Sequence, residues 1–291
     1  MSAPRVTFDR GAKWIGLFLL VVAGYLVATR FVGDALAVGP TNPATGTSLV
    51  ESGVRLVALL GIGWMFLRSE GVSLGDIGLS LDRVGPAVVA VSAFYAALNL
   101  AGFGLATVTV GGSAIGYQWT VAPTVAVVAF LSQLVLAGVT EELLFRGYLQ
   151  SKVIAVLPTE LRFESVIGVA AAATLFVLAH VPRVLTDGVP AAGALAAYGV
   201  LLLASGMAFG LVYEYTQNLT IPILLHGAGN MPGTMGIVFF DSTAFQGGAF
   251  VAYVFAYLAL AVGLVVGYRR WGIERLGLRT WTDRDSLVTS N

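Results

Sequence analysis

The chain has 291 residues, 57% of them hydrophobic and only 11% charged, with 36 glycines, no cysteine and a formal net charge of zero. Soluble domains carry roughly twice that charged share, so a water-soluble globular fold is excluded. Disulfides, thiolate metal centres and a basic surface for nucleic acid go with it. No stretch alternates apolar and polar residues as a barrel strand does, which leaves an all-α, polytopic transmembrane helical bundle.

Crossing the hydrocarbon core takes about 20 mostly apolar residues. Eight stretches qualify, at about 14–32, 50–67, 84–106, 121–140 or beyond, 165–182, 190–213, 219–240 and 248–268. Arg5, Arg10 and Lys13 precede the first. With "ALA" at Ala35 to Ala37, this start also looks like a cleavable signal peptide. Its apolar stretch is longer than a signal core, however, and keeping it gives an even number of spans. Residues 33–49, "GDALAVGPTNPATGTSL", predict an external loop. The second span is the weakest, because Glu51 and Arg55 sit inside it. Residues 69–83 predict a short link, and 270–291 a polar tail. The whole of 1–291 reads as one integral membrane domain without internal repeats.

Basic residues decide the orientation. Arg5, Arg10, Lys13, Arg68, Arg83, Arg146, Lys152, Arg162, Arg269, Arg270, Arg275, Arg279 and Arg284 fall on one side, and only Arg30 and Arg183 on the other. Positive residues mark the cytoplasmic side, so both termini are predicted to be cytoplasmic. Two lysines against fourteen arginines, with compact loops, suggest a prokaryotic plasma-membrane protein.

Not one Asp, Glu, Lys or Arg stands between Val84 and Thr140; the charges then arrive together in "LAGVTEELLFRGYLQ", residues 136–150. Ionisable groups inside a membrane are costly and mostly functional. The candidates are Glu141, Glu142, Arg146 and the chain's only two histidines, His180 and His226. If the fourth helix runs to the break at Pro158, Glu141 lies sixteen residues above Leu157; His180 lies sixteen above a fifth helix starting at Glu164. At 1.5 Å per residue both stand about 24 Å above the same hairpin. Neighbouring antiparallel helices therefore bring them level, provided the over-long fourth helix starts late or kinks near Gly138.

Spacing suggests roles. Glu142 and Arg146 are i,i+4 in the favourable order for an ion pair. Glu141 points about 100° away from Glu142 and is left free as a general base. His226 and Asn230, also i,i+4, share a face and could donate to an oxyanion. Blander readings stand beside these: a snorkelling helix end for the charged trio, and interhelical hydrogen bonds for the histidines and Asn230. Gly206 and Gly210 in "GMAFG" read as a small-xxx-small packing pair. The concentration of every buried titratable group in three short motifs favours a site.

Those motifs, "EELLFR" (Glu141, Glu142, Arg146), "FVLAH" (Phe176, His180) and "HGAGN" (His226, Asn230), resemble the CPBP intramembrane proteases, which include Rce1-type CAAX prenyl endopeptidases and bacterial Abi proteins. The resemblance covers about residues 120–232. It implies that Glu141 activates water, that His180 assists, that His226 and Asn230 hold the oxyanion, and that Glu142, Arg146 and Phe176 support the architecture. It also implies a site without a resident cofactor; Glu141, His180 and His226 could supply three zinc ligands, but the partner of His226 suits hydrogen bonding better, and a metal is not favoured.

The function expected is an intramembrane endopeptidase acting on a peptide or protein substrate, lipid-modified or membrane-embedded, with membrane lipid around it and no nucleic acid. Two other classes fit the same residues. One is a catalytically silent scaffold or bacteriocin-immunity-type binding protein; the other is a proton-coupled transporter, which the absence of repeats disfavours.

Overall fold

The computed structural model describes residues 6–42, 48–110, 118–119, 122–158, 163–186, 192–231, 237–238 and 248–272. The tail beyond Gly272 and the middle of the loop between the first two helices lie outside the described residues.

Each expected apolar run contains a helix, though not always over its full length. In chain order these are α1 (Lys13–Leu36), α2 (Leu49–Ser69), α3 (Val84–Val110), α4 (Pro123–Val156), α5 (Glu164–Thr186), α6 (Ala192–Thr216), α7 (Thr220–Gly229) and α8 (Gly248–Gly267). Among the described residues, five segments are long and apolar enough to cross a membrane: Leu49–Ser69, Leu81–Gly104, Pro123–Val156, Glu164–Pro182 and Tyr198–Thr216. Of the two charges that weakened the second span, Glu51 has a local explanation. Ser48 caps α2, its hydroxyl accepting from the Val50 and Glu51 N–H groups, so Glu51 belongs to the first turn. There a carboxylate favours the helix dipole.

The seventh expected span, 219–240, is corrected. Helix α7 has 10 residues, about 15 Å of rise, half of the roughly 30 Å hydrocarbon core. It stops at Gly229, with Asn230 as its cap. Ile237–Val238 instead pair antiparallel with Gln118–Trp119 in a two-residue ladder. Continuous hydropathy hid this stop, although Gly227 and Gly229 are poor helix formers and helices end before the residue preceding a proline, here Pro232.

Helix α4 runs through the middle, with α2, α5, α6 and α7 packed against it. Outside these, α1 rests on α2 and α5, while α3 and α8 pair and lean on α7 and α6. Pro123 opens α4 in the first turn, where its missing N–H costs nothing. The helix then continues unbroken for 34 residues, passing through π-helical stretches at Leu134–Val139 and Leu143–Gln150. Such i→i+5 segments concentrate at functional sites, and here they flank Thr140, Glu141 and Glu142.

Association in lipid relies on close packing and interhelical hydrogen bonds. The α4–α7 crossing shows the first. A Cβ on Gly138 would lie 2.6 Å from the Ile223 carbonyl oxygen, and one on Gly227 would lie 2.8 Å from Leu134 Cα, so only glycine lets the backbones touch. Ile223 joins an apolar cluster with Phe18, Phe66 and Tyr148, whereas Ile221 and Leu225 join another with Phe94 and Leu264. Helix α7 is thus wedged between two cores.

One end of the bundle is closed by polar fastenings. Fully buried Glu70 pairs with fully buried Lys152 at 2.8 Å and accepts from the Tyr148 hydroxyl and the Arg10 N–H. The Lys152 ammonium also donates to the Arg10 carbonyl. Residues 8–10 are thereby strapped across the ends of α2 and α4. At the same end the α6–α7 turn is fixed by Arg83, which donates to the Gln217 carbonyl, and by Asn218. The Asn218 amide donates to the Arg83 carbonyl and the Tyr268 hydroxyl, while its carbonyl oxygen accepts from Thr220 N–H. Gln217 has φ 51 and faces Gly78 at φ 77; a side chain at Gly78 would collide with the Gln217 carbonyl. This turn sets where α7 starts, and so where His226 ends up two turns later.

Candidate active site

Four helices deliver the site. Glu141, Glu142 and Arg146 come from α4, Phe176 and His180 from α5, and His226 from α7. Their backing is Phe209 on α6.

The buried half is an ion cluster. Glu142 is 0% exposed and Arg146 2%. Arg146 Nη1 donates to Glu142 Oε1 at 2.8 Å, Nη2 lies 3.4 Å from the Gly206 carbonyl oxygen, and the guanidinium stacks between the rings of Phe176 (4.7 Å) and Phe209 (5.6 Å). An arginine stripped of water survives only with such pairing and ring contact. The same Glu142 oxygen lies 2.6 Å from His226 Nδ1. A carboxylate accepts, so Nδ1 carries the proton. The sequence reading gave Glu142 one partner, Arg146; the structure gives it a second and makes it the orienter of His226.

The open half is built on Glu141. Its side chain is 16% exposed and that of His180 21%, against 0% and 2% for Glu142 and Arg146. His180 Nδ1 lies 2.8 Å from the Phe176 carbonyl oxygen one turn back, so this ring too donates through Nδ1. Both imidazoles therefore turn Nε2 towards Glu141, each 3.8 Å from Oε2. That distance is too long for a direct hydrogen bond, and Oε2 is buried without a hydrogen-bond partner among the described residues. The counting from the shared hairpin expected Glu141 and His180 to be level, and they are.

Phe176 does more than fill space. Its carbonyl orients His180, and its ring meets those of His180 at 4.6 Å, His226 at 6.1 Å and Phe145 at 5.0 Å. Asn230 is not gathered in: it caps α7, is exposed, and its side chain makes no hydrogen bond among the described residues. No three His, Asp or Glu side chains among the described residues form a group at metal-holding distance. Ligands on a tetrahedral zinc sit about 3.3 Å apart, closer than the two 3.8 Å gaps here.

The stretch of chain that carries these side chains also matches a family model. Residues 122–232 match the family model described as "Type II CAAX prenyl endopeptidase Rce1-like". This segment is similar to the Rce1-like, CPBP-type proteases. No curated protein and no solved structure matches the chain. The Rce1-like segment runs from the start of α4 past the end of α7, so it contains every residue of the site. With its long apolar helices, the chain is an integral membrane protein, and the family is one of peptide hydrolases.

Four residues of the Rce1-like core escaped the sequence reading in these roles: Phe209, Gly206, Gly210 and Gln150. "GMAFG" does pack as a small-xxx-small pair, since a Cβ on Gly206 would lie 3.1 Å from that of Ala173. It also presents carbonyls to α4, Gly206 to Arg146 and Gly210 to Gln150 at 2.9 Å. The available signal was the repeated four-residue step in both segments.

Proposed function

We propose that the protein is an intramembrane endopeptidase in which Glu141 activates water. The observation that carries this reading is the convergence of two imidazole Nε2 atoms on the unpartnered Glu141 Oε2. A water hydrogen-bonded at about 2.8 Å to the carboxylate and to either ring suits a 3.8 Å separation.

In this mechanism Glu141 takes a proton from the water as its oxygen attacks the scissile carbonyl carbon. His180 holds the water through Nε2. The oxyanion forms beside His226, whose imidazolium form donates from both nitrogens, Nδ1 to Glu142 and Nε2 to the oxyanion. Glu142 balances that charge, as the buried carboxylate of a catalytic triad does. Asn230, one turn beyond His226, joins if substrate draws its amide inward. Collapse breaks the C–N bond, and Glu141 returns its proton to the leaving amine.

The substrate in this reading is a peptide whose apolar or lipid-modified segment reaches a site within the bilayer, cleaved near its C-terminus. The chain acts as one domain of the prokaryotic plasma membrane with both termini cytoplasmic. The test is proteolysis in liposomes, using a quenched fluorescent peptide with a farnesylated cysteine and an unprenylated twin. Wild type should cleave; Glu141→Ala and His180→Ala should not. Cleavage that survives Glu141→Ala would overturn the mechanism. Binding of the peptide by every variant without cleavage would favour a scaffold.

A further inference from the structure

The π stretch Leu143–Gln150 carries Arg146, and therefore the aim of Glu142 at His226. A π turn is an unusual register, so something must hold it. Three contacts to α6 do so. Arg146 Nη2 faces the Gly206 carbonyl oxygen at 3.4 Å, Gln150 Nε2 donates to the Gly210 carbonyl at 2.9 Å, and Ser151 Oγ lies 3.3 Å from the Tyr213 hydroxyl. Ser151 also donates to the Arg146 carbonyl five residues back, at 3.0 Å, reinforcing the wider turn. The rungs climb in step, 146 and 150 on α4 against 206 and 210 on α6.

Gln150 is the rung with no other duty. It is 1% exposed, touches no reacting group, and its amide is the group that reads the α6 backbone. Gly210 has to be glycine for this: a Cβ there would lie 2.7 Å from Gln150 Oε1 and 2.7 Å from Val169 Cγ1. We propose that Gln150 is a positioning residue: by seizing the Gly210 carbonyl it fixes the rotation of α4 against α6, and so keeps the Glu142 carboxylate on His226 Nδ1.

Because the chain holds only two histidines, ¹⁵N-histidine labelling of the full-length protein in nanodiscs reports the site directly. A His180→Gln sample assigns the two sets of signals. In wild type, His226 Nδ1–H should appear as a strongly hydrogen-bonded, downfield proton. Gln150→Met keeps length and volume while removing the donor. It should shift or broaden the His226 signal, leave that of His180 in place, and move Tm by less than about 4 °C, since one hydrogen bond is at stake. Gly210→Ala, which pushes on the same amide from the other side, should disturb the His226 signal likewise, with a larger fall in Tm because its methyl also meets Val169 Cγ1 at 2.7 Å. An unchanged His226 resonance in both variants would overturn the proposal, and so would equal disturbance of His180, which indicates general loosening.

The resonance readout does not depend on the hydrolase reading; a second readout rests on it. If wild type cleaves and Glu141→Gln does not, Gln150→Met should lower kcat about tenfold with KM within about twofold, the pattern of a lost transition-state alignment. If no variant cleaves, the hydrolase reading fails, and the histidine resonance still decides the role of Gln150.

Discussion

His226 reaches Glu142, 84 residues earlier in the chain, at 2.6 Å through Nδ1. Arg146 holds the same carboxylate oxygen at 2.8 Å. A single buried oxygen thus joins α7 to α4, and the reach of His226 towards Glu141 is inherited from it.

Removing that carboxylate should injure stability and chemistry together. Glu142→Gln leaves a buried arginine without its counter-charge, which costs about 3–5 kcal/mol, and gives His226 Nδ1 a weaker, uncharged acceptor. Arg146→Met should cost a similar amount. The double variant should be less damaging than the sum. Reversible unfolding in bicelles, run as a double-mutant cycle, measures the coupling; strict additivity would contradict a shared cluster.

Glu141→Gln should behave differently. Because Glu141 Oε2 holds nothing in the described structure, the unfolding midpoint should stay near that of wild type. Turnover should fall by about 10²- to 10⁴-fold, the usual contribution of a general base. Single-turnover cleavage beside a thermal melt separates the two effects.

The α4–α7 crossing predicts a contrast among glycines. Gly227→Ala would push a methyl to 2.8 Å from Leu134 Cα, a backbone atom with nowhere to go, at a cost of about 1–3 kcal/mol. It also displaces the residue next to His226, so kcat should fall. Gly16→Ala on α1 meets nothing within 4 Å and should be neutral or favourable by up to about 1 kcal/mol. Melting temperatures of the two variants check both.

Much of this arrangement was readable beforehand because it depends on counting. A fixed rise per residue levels Glu141 with His180 above their common hairpin, and i,i+4 spacing pairs Glu142 with Arg146. What counting missed has physical reasons. The claim of His226 on Glu142 is a long-range contact, and a carboxylate oxygen that takes two donors looks in sequence like one that takes one. The short α7 was concealed because 219–240 stays apolar past Gly229. The Gly206 and Gly210 carbonyls left no trace, since every residue has a carbonyl and only the missing Cβ makes these two reachable. The π register of α4 is equally silent: apolar periodicity does not resolve 3.6 from a slightly wider turn over eight residues.

The fastening at Glu70 gives another expectation. Lys152→Met should strand a fully buried carboxylate and cost about 3–5 kcal/mol. Hydrogen–deuterium exchange should then quicken around Tyr148 and residues 8–10, while the histidine resonances hold still. Spread of the change to His226 would show that this end and the site are one unit.

That same strap bears on how the protein is made. Arg10 and Lys152 touch across 142 residues, and Glu70 cannot leave water until its ammonium partner has emerged from the ribosome and α4 has lodged in the bilayer. The helices from α1 to α4 have to be threaded before residues 8–10 can settle. Residues 8–10 are synthesised well before α4 and can dock only after it, so a bulky substitution within them would disturb this docking and spare the insertion of the helices themselves.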